Sequence, residues 1–462
     1  MQSHYRKEDP LSIELYAKEM IGHSLKEILT EKEYEGITKG SSKAKGEMGQ
    51  LIEKYYFKYE PNNESRPDFP EAGLELKTTP LKRLSKGELR AKERLVLNII
   101  NYLGEHQLEL ITSSFWKKNQ RLLLMFYLYE ENKTLFDFVY KLAGIWDYPP
   151  ADILILRNDY QIIVDKIRRG LAHEISEGDT LYLGACRKGQ GGDNDLRKQP
   201  FSTIPAPQRA FSLKPKYMNT IIDKWLNNKA SLELEPVIKS ADQLKGTTFE
   251  DIVYKKFRPY LGMNIVDIHH ELGLEINPKA KNYYATLSLR IMGVQKAKVE
   301  EFEKADVILK TIRVNHNNMP KEDISFPYFK YTEIVKEDWY DSTLRNLLEK
   351  RFFFVVYKYD ASMKLYLYGV RFWAMPIPHI DGEVRRVWTD TVRAIIGGKA
   401  DHLPKKSESP FCHVRPHARD SRDTIDAPDS IKLVKKCFWL NSSYIKYQVV
   451  DQLACQIGRG SH

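Results

Sequence analysis

The chain has 462 residues, of which 42% are hydrophobic, so it is long and apolar enough for two or three domains with real cores. Its formal net charge of +10 favours a polyanionic partner. No apolar run is long enough to cross a membrane, and the four cysteines show no metal-binding spacing, which argues against a membrane protein and against a structural zinc.

Helices alternate with strands in the first half of the chain. Apolar residues at helical spacing predict a helix over residues 11–29 and another over residues 45–57, which carries Glu53. Strand patterns are found at residues 73–78, 94–100, 121–129, 180–185 and 209–213, and helical patterns at residues 160–174 and 216–227. This order predicts a layered α/β domain over residues 1–230.

The first of these strands carries charged residues in an arrangement suited to chemistry. Gly73 opens the strand, and Pro80 is expected to end it. Because side chains alternate along a strand, Glu75 and Lys77 point to the same side. A turn before the strand would place Asp68 beside Glu75. Two adjacent carboxylates suit Mg²⁺, and a lysine beside them can stabilise negative charge. The alternative is an ordinary ion pair at the surface.

A second, similar series of elements begins after residues 227–243, a polar stretch that we interpret as a connection. Residues 305–311 match the strand with Glu75, residues 351–357 match the run at 121–129, and residues 413–416 match the region of Arg187. We therefore interpret residues 240–455 as a diverged second copy of the first domain, with two unrelated α/β domains as the alternative. Residues 456–462 are a tail whose end resembles an affinity tag.

The second copy lacks the acidic residues of the first. Ile308 stands where the first copy has Glu75, and Glu301 stands where it has Asp68. The counterpart of Glu53 is Val253 or Tyr254, depending on a shift of one residue. We expect no catalytic Mg²⁺ site in this copy.

Two motifs resemble those of a known family. Pro67-Asp68 followed by residues 73–78 is similar to the active-site motif of the MutH family within the PD-(D/E)xK nuclease superfamily. Residues 45–49 followed by Glu53 resemble the first helix of that family. The resemblance covers almost the whole chain. It implies a restriction-endonuclease-like α/β fold, with a mixed central sheet flanked by helices, present twice with a degenerate second copy.

The resemblance also implies roles for single residues. Asp68 and Glu75 would hold Mg²⁺, and Glu53 would assist a second metal ion or a water molecule. Lys77 would position the nucleophile. Lys118 matches a lysine that lies near the scissile phosphate in the family, although a basic residue at the start of a strand is an equally simple interpretation.

DNA reading is expected from a loop rich in glycine. In the MutH family an arginine in this region reads guanine in the major groove, and Arg187 and Lys188 match it. Gly189, Gly191 and Gly192 would let the backbone approach DNA. A flexible surface loop is the alternative. Arg415 is the corresponding candidate in the second copy.

The resemblance implies a type II restriction endonuclease that makes double-strand breaks at GATC. A cytoplasmic protein is expected because the sequence has neither a long apolar run nor a signal-peptide pattern. Its partner is double-stranded DNA containing GATC, with a homodimer on the DNA or two sequential nicks. The second copy would be an allosteric effector that binds another DNA duplex. The alternatives are a repair nickase for hemimethylated GATC and a non-catalytic DNA-binding regulator. Ser212 replaces the tyrosine with which the nickase senses methylation, and a nickase needs only one copy of the fold.

Overall fold

The structure, a computed structural model, describes residues 5–40, 47–59, 66–189, 193–226, 233–428 and 431–453. The chain divides into two compact units. The first unit contains residues 1–173 and 182–233, and the second contains residues 174–181 and 234–462. Mixed sheets and helices make both units α/β. In the described part of the chain, no helix is long and apolar enough to cross a membrane.

The first unit is built from eight helices and nine strands among its described residues. The helices are α1 Pro10–Glu19, α2 Leu25–Ile28, α3 Glu31–Gly40, α4 Glu47–Leu51, α5 Tyr102–Glu105, α6 Ser114–Asn119, α7 Pro150–Arg168 and α8 Pro215–Trp225. The strands are β1 Glu75–Arg83, β2 Leu89–Ala91, β3 Leu95–Ile99, β4 Arg121–Leu128, β5 Tyr140–Asp147, β6 Leu183–Arg187, β7 Leu196–Gln199, β8 Ser202–Pro207 and β9 Arg209–Leu213.

The main sheet of this unit has the order β2-β1-β4-β5. Strand β1 runs parallel to β4, and β5 runs antiparallel to β4. Residues 122–126 of β4 are fully buried because both faces of this central strand are covered, as its continuous apolar run predicts. A second sheet has the order β3-β9-β6. The predicted strands at residues 94–100, 121–129 and 209–213 are confirmed.

Two predicted boundaries in the first unit are wrong because tertiary contacts override local pattern. The helix expected over residues 11–29 is two helices, since Gly22 adopts a φ of +95° and donates its N–H to the Tyr140 carbonyl at 2.9 Å. Strand β1 does not end before Pro80 but continues to Arg83. Proline cannot donate to the strand ladder, but the Pro80 carbonyl accepts from the Lys92 N–H at 2.9 Å.

The helix expected at residues 160–174 begins ten residues earlier, at Pro150. Proline is favoured at the first position of a helix, where its missing N–H costs nothing. The carboxylate of Asp159 is buried in this helix and accepts from the Tyr182 and Leu183 N–H groups, at 2.6 and 2.9 Å. A buried acid interrupts the apolar periodicity, which explains why the pattern misplaced the helix.

The second unit has nine helices and ten strands among its described residues. The helices are α9 Phe249–Phe257, α10 Ile265–Glu271, α11 Tyr283–Ile291, α12 Glu300–Ala305, α13 Tyr331–Ile334, α14 Thr343–Leu348, α15 Ile377–His379, α16 Arg385–Ile396 and α17 Ser442–Ile445. The strands are β10 Leu234–Glu235, β11 Lys298–Val299, β12 Ile308–Val314, β13 Ile324–Ser325, β14 Arg351–Tyr359, β15 Leu365–Ala374, β16 Cys412–Pro416, β17 Thr424–Asp426, β18 Lys432–Val434 and β19 Lys436–Leu440.

The main sheets of the two units have matching topology. In the second unit β12 is parallel to β14, and β14 is antiparallel to β15, as for β1, β4 and β5. The second sheets, β13-β19-β16 and β3-β9-β6, also correspond in strand order. The likeness that the sequence predicts between the halves is therefore present at the level of strand order and direction.

Candidate active site

Strand β1 holds a buried ion pair at its start. Alternation sends Leu74 and Leu76 into the core, where both are buried, while Glu75 and Lys77 share the opposite face. The Lys77 Nζ donates to the Glu75 Oε1 at 2.5 Å. Only 1% of the Glu75 side chain and 18% of the Lys77 side chain are exposed, so the pair is not an ordinary surface ion pair.

A tight turn brings Asp68 beside Glu75. Phe69 and Leu74 pair across the turn, which folds the chain back on itself. The backbone N–H of Leu76 donates to the Asp68 Oδ2 at 2.9 Å. The N–H of Asp68 donates to the Glu75 Oε2 at 3.2 Å. The predicted proximity of these two carboxyl groups is present, and backbone donors fix both of them.

Helix α6 supplies a second lysine. The Ser113 hydroxyl caps this helix by accepting from the Trp116 N–H at 3.0 Å, and Lys118 lies in its last turn. The Lys118 Nζ is 3.5 Å from the Glu75 Oε1, the oxygen that Lys77 also contacts. Two cations therefore converge on one buried carboxylate oxygen.

Glu53 reaches the same cluster from a π-helix, Ile52–Tyr56, that continues α4. Gly49 of α4 lies close to both Thr78 of β1 and the Glu53 carboxylate, so this end of the helix is held against the strand. Burial raises the pKa of Glu53 to about 7, and the charge of Asp68 adds to the effect. A π-turn at such a position is frequent in functional sites.

Burial also raises the pKa of Glu75 to about 7, although Lys77 opposes the shift. Burial is the main cause for both glutamates, and the nearby Asp68 carboxylate raises both pKa values further while Lys77 and Lys118 lower them. Hard oxygen donors of this kind fit a divalent cation such as Mg²⁺. In the described ranges, no three acidic, histidine or cysteine side chains already converge as a metal-ligand set.

The residues predicted to read DNA lie on the other sheet of the first unit. Arg187 ends β6 and pairs with Arg209 of β9, and the Lys188 N–H donates to the Gln208 carbonyl at 2.8 Å. Gly191 and Gly192 lie outside the described residues. The structure thus brings together the five predicted catalytic residues and places the two DNA-reading candidates separately.

Sequence reasoning missed two residues of interest. Arg209 is buried opposite Arg187 and donates to the Ala185 carbonyl at 2.5 Å. The hydroxyl of Tyr59 is buried near the acidic cluster without a hydrogen-bond partner among the described residues. Arg209 could have been noticed in the sequence, because it is a charged residue at the start of an apolar strand. Tyr59 could not, because it is one of several tyrosines near Glu53.

The second unit keeps the strand register but not the acids. Ile308 pairs with Phe352 where Glu75 pairs with Leu122 in the first unit. Glu301 does not take the place of Asp68, because it lies in α12 and its carboxylate accepts from the Val237 and Ile238 N–H groups, at 3.0 and 2.8 Å. The Glu301 carboxylate therefore holds backbone N–H groups in place within the second unit.

Arg415 occupies a register one residue away from that of Arg187. Arg415 pairs with Cys437, and Pro416 pairs with Lys436, whereas Arg187 pairs with Arg209. If Phe438 is matched with Phe211, Pro416 is the counterpart of Arg187. The Arg415 guanidinium stacks on the Trp439 ring at 3.7 Å and lies 3.4 Å from Asp323. Arg415 is therefore part of a polar surface, but its neighbours differ from those of Arg187.

Comparison with known proteins gives two findings. Residues 57–159 and 293–378 match the family described as "DNA mismatch repair enzyme MutH". The chain is also 36% identical over 489 aligned positions to "Type II restriction enzyme Sau3AI" of Staphylococcus aureus, an alignment that covers 95% of this chain and 97% of that relative. The first matched range contains β1 and β4, and the second contains β12 and β14.

Proposed function

Because the chain belongs to the MutH family and is a type II site-specific deoxyribonuclease, we propose that it cuts both strands of DNA at GATC with Mg²⁺. The observation that carries this proposal is the cluster on β1, in which Asp68, Glu75 and two lysines meet in a buried site. The choice of GATC as the recognition sequence rests on the resemblance to the MutH family, which implies cutting at this sequence.

Each residue of the cluster has a distinct task in this proposal. Asp68 and Glu75 hold the cation, and Glu53 stands beside them. A divalent cation supplies Lewis acidity toward the phosphodiester and lowers the pKa of water. Lys77 orients the attacking water, and Lys118 stabilises the negative charge that develops on the phosphoryl oxygens. The products are 5′-phosphate and 3′-hydroxyl ends.

The test is incubation of a supercoiled plasmid containing GATC with the protein and Mg²⁺. We expect linear fragments from the native protein, and none from Asp68→Asn. Asp165→Asn, at an exposed carboxylate in α7, is the matched control and should cut normally. Open circles alone would indicate the repair nickase, and unchanged plasmid would indicate a non-catalytic regulator.

We propose further that the second unit is a diverged nuclease fold that binds a second GATC duplex and activates the first unit. The supporting observations are its matching strand order, the replacement of Glu75 by Ile308, and the basic groups around Asp323. Lys406 and Arg415 both contact that carboxylate, the former at 2.6 Å. Arginine stacked on tryptophan also offers a planar surface to a base or sugar.

This effector role is tested with the full chain on DNA substrates that carry one or two GATC sites. Two sites should be cut faster than one, and Arg415→Ala should remove most of the difference. Arg422→Ala is the matched control, because Arg422 is exposed and its ion pair among the described residues is with its close neighbour Asp420. Equal rates on both substrates would contradict the effector role without affecting the nuclease assignment.

The proposed reaction also constrains assembly. GATC is palindromic, so the two strands present equivalent bonds, while one chain carries one acidic cluster among its described residues. A double-strand break then requires two chains related by a two-fold axis, or two successive nicks by one chain. A cleavage rate that rises with the square of protein concentration supports the homodimer. A first-order rate with accumulating nicked DNA supports successive nicking.

A further inference from the structure

Tyr59 has a buried hydroxyl that lacks a hydrogen-bond partner among the described residues. Buried tyrosine hydroxyls almost always find a partner, because an unpaired polar group loses its hydrogen bonds to water without replacement. A native structure that keeps such a group calls for an explanation in terms of function or an absent ligand.

The surroundings of Tyr59 are those of the acidic cluster. Its backbone N–H donates to the Glu53 carbonyl at 3.1 Å. Its ring packs edge-on against Phe69, the neighbour of Asp68, with centroids 5.4 Å apart. Burial and the charges of Asp68, Glu53 and Glu75 raise the pKa of the hydroxyl far above its usual value. It is therefore a neutral O–H donor at every working pH.

The backbone that places Tyr59 is unusual. The π-helix Ile52–Tyr56 ends two residues before Lys58, which adopts a φ of +57°. This left-handed conformation is costly for a residue other than glycine. It turns the chain so that Tyr59 returns toward the start of its own helix at Glu53. A left-handed residue just past a helix end is a recurrent helix cap, and here it fixes the position of Tyr59 beside the acidic cluster.

We propose that Tyr59 is a positioning residue of the active site, whose hydroxyl donates a hydrogen bond to the Asp68 carboxylate when the cation site is filled. The Asp68 Oδ2 already accepts from the Leu76 N–H. A second donor would fix the plane of the carboxyl group and direct its remaining lone pairs toward the cation. Carboxylates that ligate metals are usually held in this way by a hydrogen-bond donor. The inference rests on the proposed nuclease function.

The test is Tyr59→Phe in the full-length protein, which removes the hydroxyl and keeps the ring contact with Phe69. Without divalent cation, the variant should melt at the same temperature as the native protein or higher, because an unpaired buried hydroxyl is gone. With Mg²⁺, kcat should fall about 10–100-fold, as for other residues that orient metal ligands. The half-saturating Mg²⁺ concentration should rise, while KM for DNA and affinity for duplex without cation stay unchanged.

Tyr140→Phe is the matched control. The Tyr140 hydroxyl is also buried in the first unit without a described partner, but its pKa is affected by burial and Tyr127 rather than by an acid. This variant should keep native kcat and native Mg²⁺ dependence. If Tyr59→Phe behaves like this control, or loses stability together with activity, the inference is overturned. If the native protein itself fails to cut DNA, the proposed function fails first, which separates the two failures.

Discussion

Replacing Glu75 by glutamine removes a buried negative charge while preserving the shape of the side chain. The pKa of Glu75 is raised from 4.5 to about 7 in the folded protein, mainly by burial. Because the folded state binds this proton more tightly than the unfolded state, the free energy of unfolding falls as pH rises from about 4.5 to about 7. At about 1.4 kcal/mol per pKa unit, ionised Glu75 costs roughly 3 kcal/mol of stability.

Glu75→Gln should therefore stabilise the metal-free first unit by up to about 3 kcal/mol at pH 8 and leave it nearly unchanged at pH 4.5. Cleavage should nevertheless fall by about 10²–10³-fold or more. Urea unfolding at both pH values measures the stability, and hydrogen exchange in β4 isolates the first unit. Glu130→Gln, at an exposed glutamate paired with Lys133, is the control. A variant less stable than the native protein at pH 8 would refute the reasoning.

Three further predictions concern pH, DNA reading and packing. Glu75 must lose its proton to hold a cation, and ionised Glu53 adds negative charge beside it, so the apparent Mg²⁺ affinity should increase as pH rises through about 7. Equal Mg²⁺ titrations at pH 6 and 8 would contradict this. Arg187→Ala should cost about 1–3 kcal/mol of binding at GATC and less on scrambled duplexes, whereas a uniform loss would indicate a phosphate contact. In Gly178→Ala the new Cβ would lie 2.7 Å from the Cβ of Ala374, within the second unit, and we expect this substitution to destabilise that unit by about 1–3 kcal/mol. Gly382→Ala is the control and should have no such effect, because the space around Gly382 is open.

The parts of the fold that were predicted well from sequence are those in which the pattern of apolar residues matches their burial in the structure. The run at residues 121–129 contains β4, a strand covered on both faces. Its continuous apolar sequence therefore matches the burial of residues 122–126. The turn from Asp68 to Glu75 could also be predicted from sequence, because Gly73, which has a φ of +64°, marks the place where the chain reverses. The alternation of side chains along the strand then determines which of them share a face.

The parts that sequence did not predict depend on contacts with distant residues or on exact register. Gly22 was a local signal for the end of a helix that the prediction overlooked, whereas its hydrogen bond to the Tyr140 carbonyl depends on a distant residue. The left-handed turn at Lys58, which carries Tyr59 back to the acids, has no residue signature such as glycine. The register of Arg415 is fixed by pairing with Cys437, and an error of one residue moves a side chain to the other face.

The most direct test of the central claim is to map the ends that the native protein and Lys77→Ala produce on DNA of known sequence with Mg²⁺. The proposed function predicts, on the strength of the family resemblance, that every double-strand end of the native digest lies at GATC, before the guanine. It also predicts that Lys77→Ala binds the same duplex with native affinity and yields no ends, because Lys77 acts on the reacting groups beside Glu75. Ends scattered over other sequences would contradict the assigned specificity, and native cutting by Lys77→Ala would contradict the assigned active site.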